Sequence, residues 1–218
     1  MAGESKGARS GISIASCLHI VSVMDYLSET IPFEGLTISD ICKASDVSRA
    51  SFYRLFEDKY DAVNWFVYEV SMLGHAETGR TMNWYDASII TLSGFHLMRH
   101  LLMSACAASG YSSLGETSTR LRIAHLTESL EAYRHVEIDD TLRFQIEFFS
   151  HSEIQAVHRW YPVADTVSVE QMAANIETCV PCRLHDLLAM PNDPQKGQRL
   201  TVGRMVSLIQ ARTAAGAE

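Results

Sequence analysis

Residues 36–59 read LTISDICKASDVSRASFYRLFEDK and carry the start signals of two short helices. Thr37 has the hydroxyl of an N-cap residue, and Asp40 follows at the spacing of a capping box. Ser48 offers a second N-cap hydroxyl. Because Ser45-Asp46 interrupts the apolar pattern between the two caps, we predict two helices joined by a turn of three or four residues. That layout is a helix-turn-helix.

The second of these helices has one apolar side and one polar side. Phe52, Leu55 and Phe56 fall on the same side at helical spacing. A helix that reads DNA has to be short, packed on one side, and equipped on the other with groups for phosphates and base edges. Residues 36–60 meet these requirements.

The outer side carries residue types that suit the major groove of DNA. Arg49 can donate two hydrogen bonds to guanine O6 and N7, and Ala50 can contact a thymine methyl. Ser51 is small enough for close approach, whereas Tyr53 and Lys59 are better placed for phosphate. The helix start at Thr37 can donate backbone N–H groups to another phosphate. The predicted DNA-contacting residues are Thr37, Ser48, Arg49, Ala50, Ser51, Tyr53, Arg54 and Lys59.

This stretch resembles the DNA-binding domain of TetR-family transcriptional regulators. The shared features are the capped Thr37, an Ile- and Ala-containing helix, the Val47-Ser48 turn, the aromatic pair Phe52-Tyr53, and the Phe-x-x-Lys that ends at Lys59. The family usually has glycine in the turn where this chain has Asp46. Aspartate adopts the left-handed turn conformation at modest cost, so we expect the motif to survive.

The resemblance covers about residues 12–75 and is looser beyond them. It implies a homodimer, an N-terminal domain that reads DNA, and a C-terminal helical domain for ligand binding and dimerisation. Further along, Trp160-Tyr161 and the Ser-x-Glu-x-Met of 168–172 look like the C-terminal region of one subgroup of the family.

Composition and periodicity favour an all-α chain. Of 218 residues, 47% are apolar and 20% charged, and 12 Gly with 5 Pro give too few turns for an all-β protein. Helical spacing predicts helices near 12–30, 84–108, 112–135, 139–161 and 168–178, with a weaker pattern over 182–212. We therefore predict a helix-turn-helix domain over 1–75 and a helical effector-binding and dimerisation domain over 76–218.

The net charge of −8, taken over the whole chain, argues against a nucleic-acid partner. Residues 1–60 are also acidic, because six Lys/Arg stand against eight Asp/Glu. A small binding face can still be locally basic. The acidic balance keeps open the alternative of a helical interaction protein that has lost DNA binding.

Five cysteines are an odd number, spread too thinly for a secreted disulfide scaffold. No uncharged apolar run is long enough for a transmembrane helix. We therefore expect a cytoplasmic protein without a membrane partner.

Cys179 and Cys182 form a C-x-x-C, with His185 three residues later. This spacing suggests a thiol- or metal-responsive regulator as a further alternative. A zinc site needs four ligands and no second pair is evident, so the interpretation we favour is two thiols at helix ends. His96 and His100 share a helix face but lack the Glu of an H-E-x-x-H motif, and we predict no metal site.

The family resemblance implies an effector pocket in the C-terminal half. Soft and aromatic side chains there would suit an apolar or amphipathic ligand. The candidate lining residues are Met98, Met103, Phe144, Phe148 and Trp160. Because the sequence lacks a glycine-rich phosphate loop, a G-x-S-x-G elbow and an H-E-x-x-H motif, we predict no enzyme activity, no catalytic residue and no cofactor.

The sequence therefore predicts a sequence-specific DNA-binding regulator. The version we favour is a homodimeric repressor that binds a pseudo-palindromic operator in double-stranded DNA and leaves it when a small-molecule effector binds.

Overall fold

The computed structural model describes residues 11–108 and 113–189. Regular structure in this part of the chain is helical throughout, with no strand, which confirms the predicted all-α class. The weak pattern predicted over 182–212 begins with a short helix, and its remainder from residue 190 onward lies outside the described residues. Within the described part, no helix has the length and apolar character needed to cross a membrane.

Four helices form the N-terminal part, and side chains cap the starts of the second, third and fourth. They are α1 Gly11–Ser28, α2 Ile38–Ala44, α3 Arg49–Leu55 and α4 Lys59–Leu73. Thr37 and Asp40 form the predicted capping box at α2, and Ser48 accepts a hydrogen bond from the Ser51 N–H at α3. Both predicted caps, and the helix-turn-helix that they delimit, are confirmed.

The turn between α2 and α3 depends on Asp46. Its φ of 51° lies in the left-handed region, as the sequence predicts for this position. The next N–H, that of Val47, donates to the Cys42 carbonyl at 3.0 Å and closes the turn. Across the turn, the His19 ring nitrogen Nε2 lies 3.0 Å from the Ser45 carbonyl oxygen, which ties α1 to the end of α2.

The C-terminal part contains six further helices among the described residues. They are α5 Trp84–Leu97, α6 Arg99–Ala107, α7 Ser113–Glu128, α8 Asp140–Trp160, α9 Val169–Thr178 and α10 Cys182–Leu188. A wider π-helical turn over Ser129–Tyr133 extends α7. The predicted helices at 139–161 and 168–178 are confirmed within two residues at each end.

The single helix predicted over 84–108 is wrong, because the chain changes direction at Met98. That residue has φ −121° and ψ 36°, outside the helical region, and it separates α5 from α6. The break orients α6 against α1, where the Asp25 carboxylate accepts the Leu101 N–H at 2.8 Å. A side chain from α1 therefore pairs with a first-turn N–H of α6 that has no partner within its own helix.

The N-terminal and C-terminal parts pack directly against one another. Helix α1 contacts α6, and α4 contacts both α5 and α7. One apolar core runs through both parts, from Phe52 and Phe66 to Trp84 and Leu126. The boundary near residue 75 stays a prediction, and it falls just after α4.

Candidate nucleic-acid interface

Helix α3 is held by its buried side and presents its other side to solvent. Phe52 and the residue after the helix, Phe56, are fully buried. The opposite side exposes most of the residues that the sequence analysis selected. Those exposed are Ser48, Arg49, Ala50, Tyr53 and Arg54, and Ser51 is half-buried. The structure therefore brings the predicted base-reading residues onto one exposed surface, while their contact with DNA stays a prediction.

Arg49 and Tyr53 form a pair one helical turn apart. The Arg49 Nη2 donates to the Tyr53 hydroxyl at 3.4 Å, and the guanidinium lies 5.8 Å from the centre of the tyrosine ring. Residues at this spacing are neighbours on a helix surface. The contact restricts the rotamers of Arg49, which would lower the entropic cost of the predicted base contact.

Two serines share hydrogen bonds at the start of α3. The Ser48 hydroxyl accepts the Ser51 N–H at 3.1 Å and donates to the Ser51 hydroxyl oxygen at 3.0 Å. The Ser48 proton is thus used within the chain, whereas the Ser51 hydroxyl keeps its own proton for an outside acceptor. Ser48 acts as a cap, and Ser51 is the better base-reading candidate of the two.

Thr37 does not present the free N–H that a phosphate contact requires. Its N–H and its hydroxyl both donate to Asp40 Oδ2, and the Asp40 N–H returns a bond to the threonine hydroxyl at 3.2 Å. These bonds from Thr37 lower the pKa of the Asp40 carboxyl. The structure therefore gives Thr37 a capping role, and a phosphate contact at the start of α2 stays a prediction.

Lys59 is likewise engaged within the chain. Its ammonium donates to the carbonyls of Phe33, Glu34 and Leu36 at 2.6, 3.0 and 2.9 Å. Partial burial lowers the pKa of this ammonium group. All three N–H bonds are used, so we replace the predicted phosphate contact by a structural role for Lys59: it holds the 33–36 connection against the start of α4.

We expect Lys59→Met to lower the free energy of unfolding by about 2 kcal/mol, because three carbonyls lose a charged donor. Urea unfolding followed by circular dichroism measures the change. Lys43→Met is the matched control, since Lys43 is exposed on α2. Equal stabilities of the two variants would contradict the structural role of Lys59.

The remaining cations on this face are few. Residues 36–59 contain four basic and four acidic side chains. With Lys59 engaged, Lys43, Arg49 and Arg54 remain for DNA. Each phosphate contact contributes about −0.9 to the slope of log K against log salt, so these three cations in each of two protomers would contribute about −5 to the slope.

The five residues predicted for an effector pocket do not meet in one place. Met98 and Trp160 are each 2% exposed, Met98 in the core and Trp160 with its indole N–H donating to the Val167 carbonyl at 2.7 Å. Met103 and Phe144 are exposed on the surface, and Phe148 is exposed at the edge of a cavity. The prediction of one common pocket is therefore wrong, because helical periodicity does not separate outward from inward apolar residues here.

Two neighbouring hollows lie along α8 and α9. One is a groove of about 660 Å³ that Trp160 lines together with Val163 and Met172. The other is a cavity of about 430 Å³ between Phe148, Phe149, Glu153 and Ile176. Both are lined by Ser152, Ala156, Met172 and Asn175.

The cysteines and histidines considered above as metal ligands do not form a metal-binding site in the described part of the chain. Cys179 ends α9 and Cys182 begins α10, both exposed and unpaired. His185 lies 3.4 Å from Glu177 Oε1, and His96 packs against Trp160. Among residues 11–108 and 113–189, no group of three metal-ligating side chains comes together.

The sequence analysis missed a cluster of buried polar groups behind the cavity. This buried polar cluster consists of His75, Thr78, Arg122 and Glu153. The Arg122 Nε donates to Glu153 Oε2 at 2.6 Å, and its Nη1 donates to the His75 carbonyl and the Thr78 hydroxyl at 3.2 and 3.3 Å. Arg122 therefore joins α7 to α8 and to the turn that follows α4.

Burial shifts the ionisation of this cluster and of its neighbour His125. Desolvation raises the pKa of Glu153, and the Arg122 charge opposes that rise. Desolvation and the Arg122 charge together hold the pKa of His75 well below its ordinary value. The same causes lower the pKa of His125 to about 3. Both imidazoles are neutral at pH 7.

Arg80 makes a second link from the same turn. Its Nε donates to the Ser129 hydroxyl at 2.9 Å and its Nη2 to Glu128 Oε2 at 2.9 Å. Its guanidinium lies 4.4 Å from the centre of the Tyr133 ring. The segment that connects α4 to α5 is thus fixed to the end of α7 by a charged, hydrogen-bonded contact.

Comparison with known proteins identifies a similar fold but does not identify a family. No protein-family model matches the sequence, and no curated protein shows significant sequence similarity to it. Among solved structures, the chain is similar to the dihydroxyacetone kinase operon activator DhaS, with a TM-score of 0.61 at 12% identity. The match covers 81% of this chain and 99% of that one. At this identity the match shows a shared all-helical fold.

Proposed function

We propose that the chain is a transcription regulator that binds a pseudo-palindromic DNA site as a homodimer. The observation that carries this proposal is α3: a capped helix, packed through Phe52, that presents Arg49, Tyr53 and Arg54 on one exposed side. The structural neighbour, named as an operon activator, agrees with this kind of function.

The base-reading role of Arg49 gives the direct mutational test. Arg49→Ala is expected to weaken binding to the selected DNA site by about 1–3 kcal/mol, roughly 5- to 150-fold, and to relax specificity at one base pair in each half-site. Fluorescence anisotropy at fixed salt measures the loss.

Lys43→Ala is the control for that experiment, because it removes a nearby exposed charge without touching α3. We expect it to weaken binding to all sequences about equally. Unchanged binding of Arg49→Ala to the selected site would refute the assignment of Arg49.

An exposed aromatic pair on α8 supports the homodimer. Phe144 and Phe148 are 66% and 61% exposed, and their rings stack with centres 6.0 Å apart. Large apolar side chains next to one another on a surface are typical of protein interfaces. We infer that this face of α8 meets the same face of a second copy around a two-fold axis.

We therefore expect Phe144→Glu to convert the dimer to a monomer, since two buried carboxylates would face each other across the axis. Sedimentation equilibrium measures the mass. Tyr68→Glu, an exposed aromatic position on α4, is the control and should stay dimeric. A dimeric Phe144→Glu protein would place the interface elsewhere.

The regulatory sense is proposed as repression, relieved by a small-molecule effector. The neighbour is named as an activator, so the sense has to be measured for this protein. A reporter gene behind the selected site, with and without the regulator, measures it directly. Higher expression with the regulator present would contradict repression and leave DNA binding intact.

The exposed thiols of Cys179 and Cys182 favour one second candidate, a thiol-responsive regulator. Thiol titration and metal analysis of the purified protein separate the two. Loss of both thiols on mild oxidation, together with altered DNA binding, would support it.

A further inference from the structure

We propose that the 430 Å³ cavity between α8 and α9 is a binding site for an uncharged, mainly apolar small molecule that carries one hydrogen-bonding group. Such a molecule would be the effector of the proposed regulator, and this part of the inference rests on the proposed function. The binding site itself is argued from the side chains around the cavity, and its test needs no DNA.

The inner wall of the cavity is apolar and nearly closed to solvent. Phe149 and Ile176 are 3% and 4% exposed, and Met172 is 8% exposed. The Phe148 ring lies at the edge of the cavity and is exposed. Small-molecule sites are typically cavities of about 300–1,000 Å³ with aliphatic and aromatic walls. This wall therefore fits an aryl or alkyl body.

No described residue presents a charge to the cavity. Glu153 borders it, but this side chain is 0% exposed and its carboxylate is turned onto Arg122, which contacts its two oxygens at 2.6 and 3.5 Å. Arg159 and His151 line the neighbouring groove and not this cavity. An ion that entered would lose hydration without gaining a counter-ion. The cavity therefore favours an uncharged molecule.

Polar groups are present only around the opening. Ser152, Asn175 and Cys179 line the cavity and are exposed. The serine hydroxyl and the asparagine amide can each donate and accept a hydrogen bond. A ligand that places its apolar body against Phe149 and Ile176 can hold one neutral polar group at this edge. This is the arrangement that the proposed class of ligand requires.

Helix α5 connects the cavity to the DNA-reading helices. It packs against α9 on one side and against α4 on the other. At the contact with α4, the His75 N–H donates to the Thr91 hydroxyl at 3.0 Å, and a Cβ at Gly74 would overlap that hydroxyl. A contact this close transmits a displacement. A ligand that moves α9 against α5 would therefore shift the end of α4, which follows α3 after three residues.

The first test uses three probes of one shape and different charge: 4-phenylbutan-1-ol, 4-phenylbutylamine and 4-phenylbutyrate. Titration calorimetry of the full chain at pH 7.5 is expected to show that the alcohol binds at least fivefold tighter than either ion. No binding of the alcohol would overturn the site. An ion that binds as tightly as the alcohol would overturn the proposed class of ligand.

The two exposed thiols report where the probe binds. Cys179 lines the cavity and Cys182 does not. Saturating 4-phenylbutan-1-ol should slow the alkylation of Cys179 by N-ethylmaleimide at least fivefold and leave the rate at Cys182 unchanged. Mass spectrometry of the digested protein measures the two rates. Equal rates at Cys179 with and without the alcohol would overturn this location of the site.

Two tryptophan variants test whether the probe needs the space of the cavity. Ala156→Trp introduces an indole at the cavity wall and should weaken binding of 4-phenylbutan-1-ol at least tenfold. Ala174→Trp is the matched control, because Ala174 is exposed on α9 outside the cavity, and it should bind as the parent does. Equal binding of the alcohol by the two variants would overturn the inference.

Ala156 lies twelve residues beyond Phe144, about 18 Å along α8, so the cavity and the proposed dimer face are tested separately. Loss of the dimer in Ala156→Trp would overturn the inference and assign the cavity to a second copy.

The effector role is tested with DNA present. Saturating 4-phenylbutan-1-ol should weaken operator binding at least fivefold, and DNA should weaken binding of the alcohol by the same factor. Unchanged operator binding in the presence of bound alcohol would overturn the effector role. Binding of the alcohol by a protein that selects no DNA would support the site and contradict the regulator function.

Discussion

Replacement of Glu153 by glutamine is expected to lower the free energy of unfolding by about 3–5 kcal/mol, because Arg122 would keep its charge without a counter-ion in the core. The two side chains are 0% and 1% exposed, so water does not screen the remaining charge. Glu153 also holds the Arg122 guanidinium where it can donate to the His75 carbonyl and the Thr78 hydroxyl in the turn after α4. This is the largest single-residue effect that we expect.

Urea unfolding at pH 7.5, followed by circular dichroism, measures the loss. Glu147→Gln is the control, since Glu147 is exposed on the same helix. The double variant Arg122→Met/Glu153→Leu should recover at least half of the stability, because it removes the unpaired charge. If Glu153→Gln lowered the free energy of unfolding by less than about 1 kcal/mol, which is what an exposed ion pair contributes, the buried ion pair would be contradicted.

Acidification from pH 7 to pH 5 is expected to lower the free energy of unfolding by about 2 kcal/mol for each buried histidine. His75 and His125 have pKa values below their ordinary 6.5 in the folded protein. Below pH 6.5 these two histidines therefore bind more protons in the unfolded chain than in the folded protein. Their contribution to stability is complete above pH 6.5 and decreases as the pH falls toward the folded pKa, which is about 3 for His125. The raised pKa values of Glu153 and Asp25 act in the opposite direction, whereas the lowered pKa of His158 acts in the same direction as those of His75 and His125.

Urea unfolding at pH 7.5 and pH 5.0 measures this dependence. His125→Leu should lose about 2 kcal/mol less on acidification than the parent protein, because it removes one titrating group. His151→Gln, at an exposed position on α8, should follow the parent. Equal losses in His125→Leu and the parent would show that His125 does not carry the pH dependence.

Features governed by neighbouring residues could be predicted from the sequence. The caps at Thr37 and Ser48 and the left-handed Asp46 depend on side chains within three residues of the backbone groups that they serve. The helix break at Met98 could not be predicted in this way. It has no glycine or proline signal, and the N-terminal bond of α6 comes from Asp25 in a distant part of the sequence.

The positions and partners of the charged groups could be determined only from the tertiary structure. Lys59 fits the sequence pattern of a phosphate contact, but the 33–36 carbonyls take its three N–H groups. A signal for the buried ion pair was nevertheless present. Glu153 lies at helical spacing between Phe149 and Val157, which are both buried. A charged residue within an apolar stripe of a helix indicates a buried partner, here Arg122.

The effector prediction failed for a different physical reason. Phe144 and Trp160 are both large and apolar, but one is 66% exposed and the other 2%. Residue type and periodicity do not separate an interface residue from a core or cavity residue. That distinction depends on which helices pack together.

The central claim is sequence-specific DNA binding by a dimer, and selection from random-sequence duplexes tests it most directly. Purified protein is mixed with the duplexes at moderate salt, and bound DNA is recovered and amplified over several rounds. We expect enrichment of a two-fold symmetric motif whose half-sites are about one helical turn apart. No enrichment by a folded protein would contradict the claim and favour an interaction protein that has lost DNA binding.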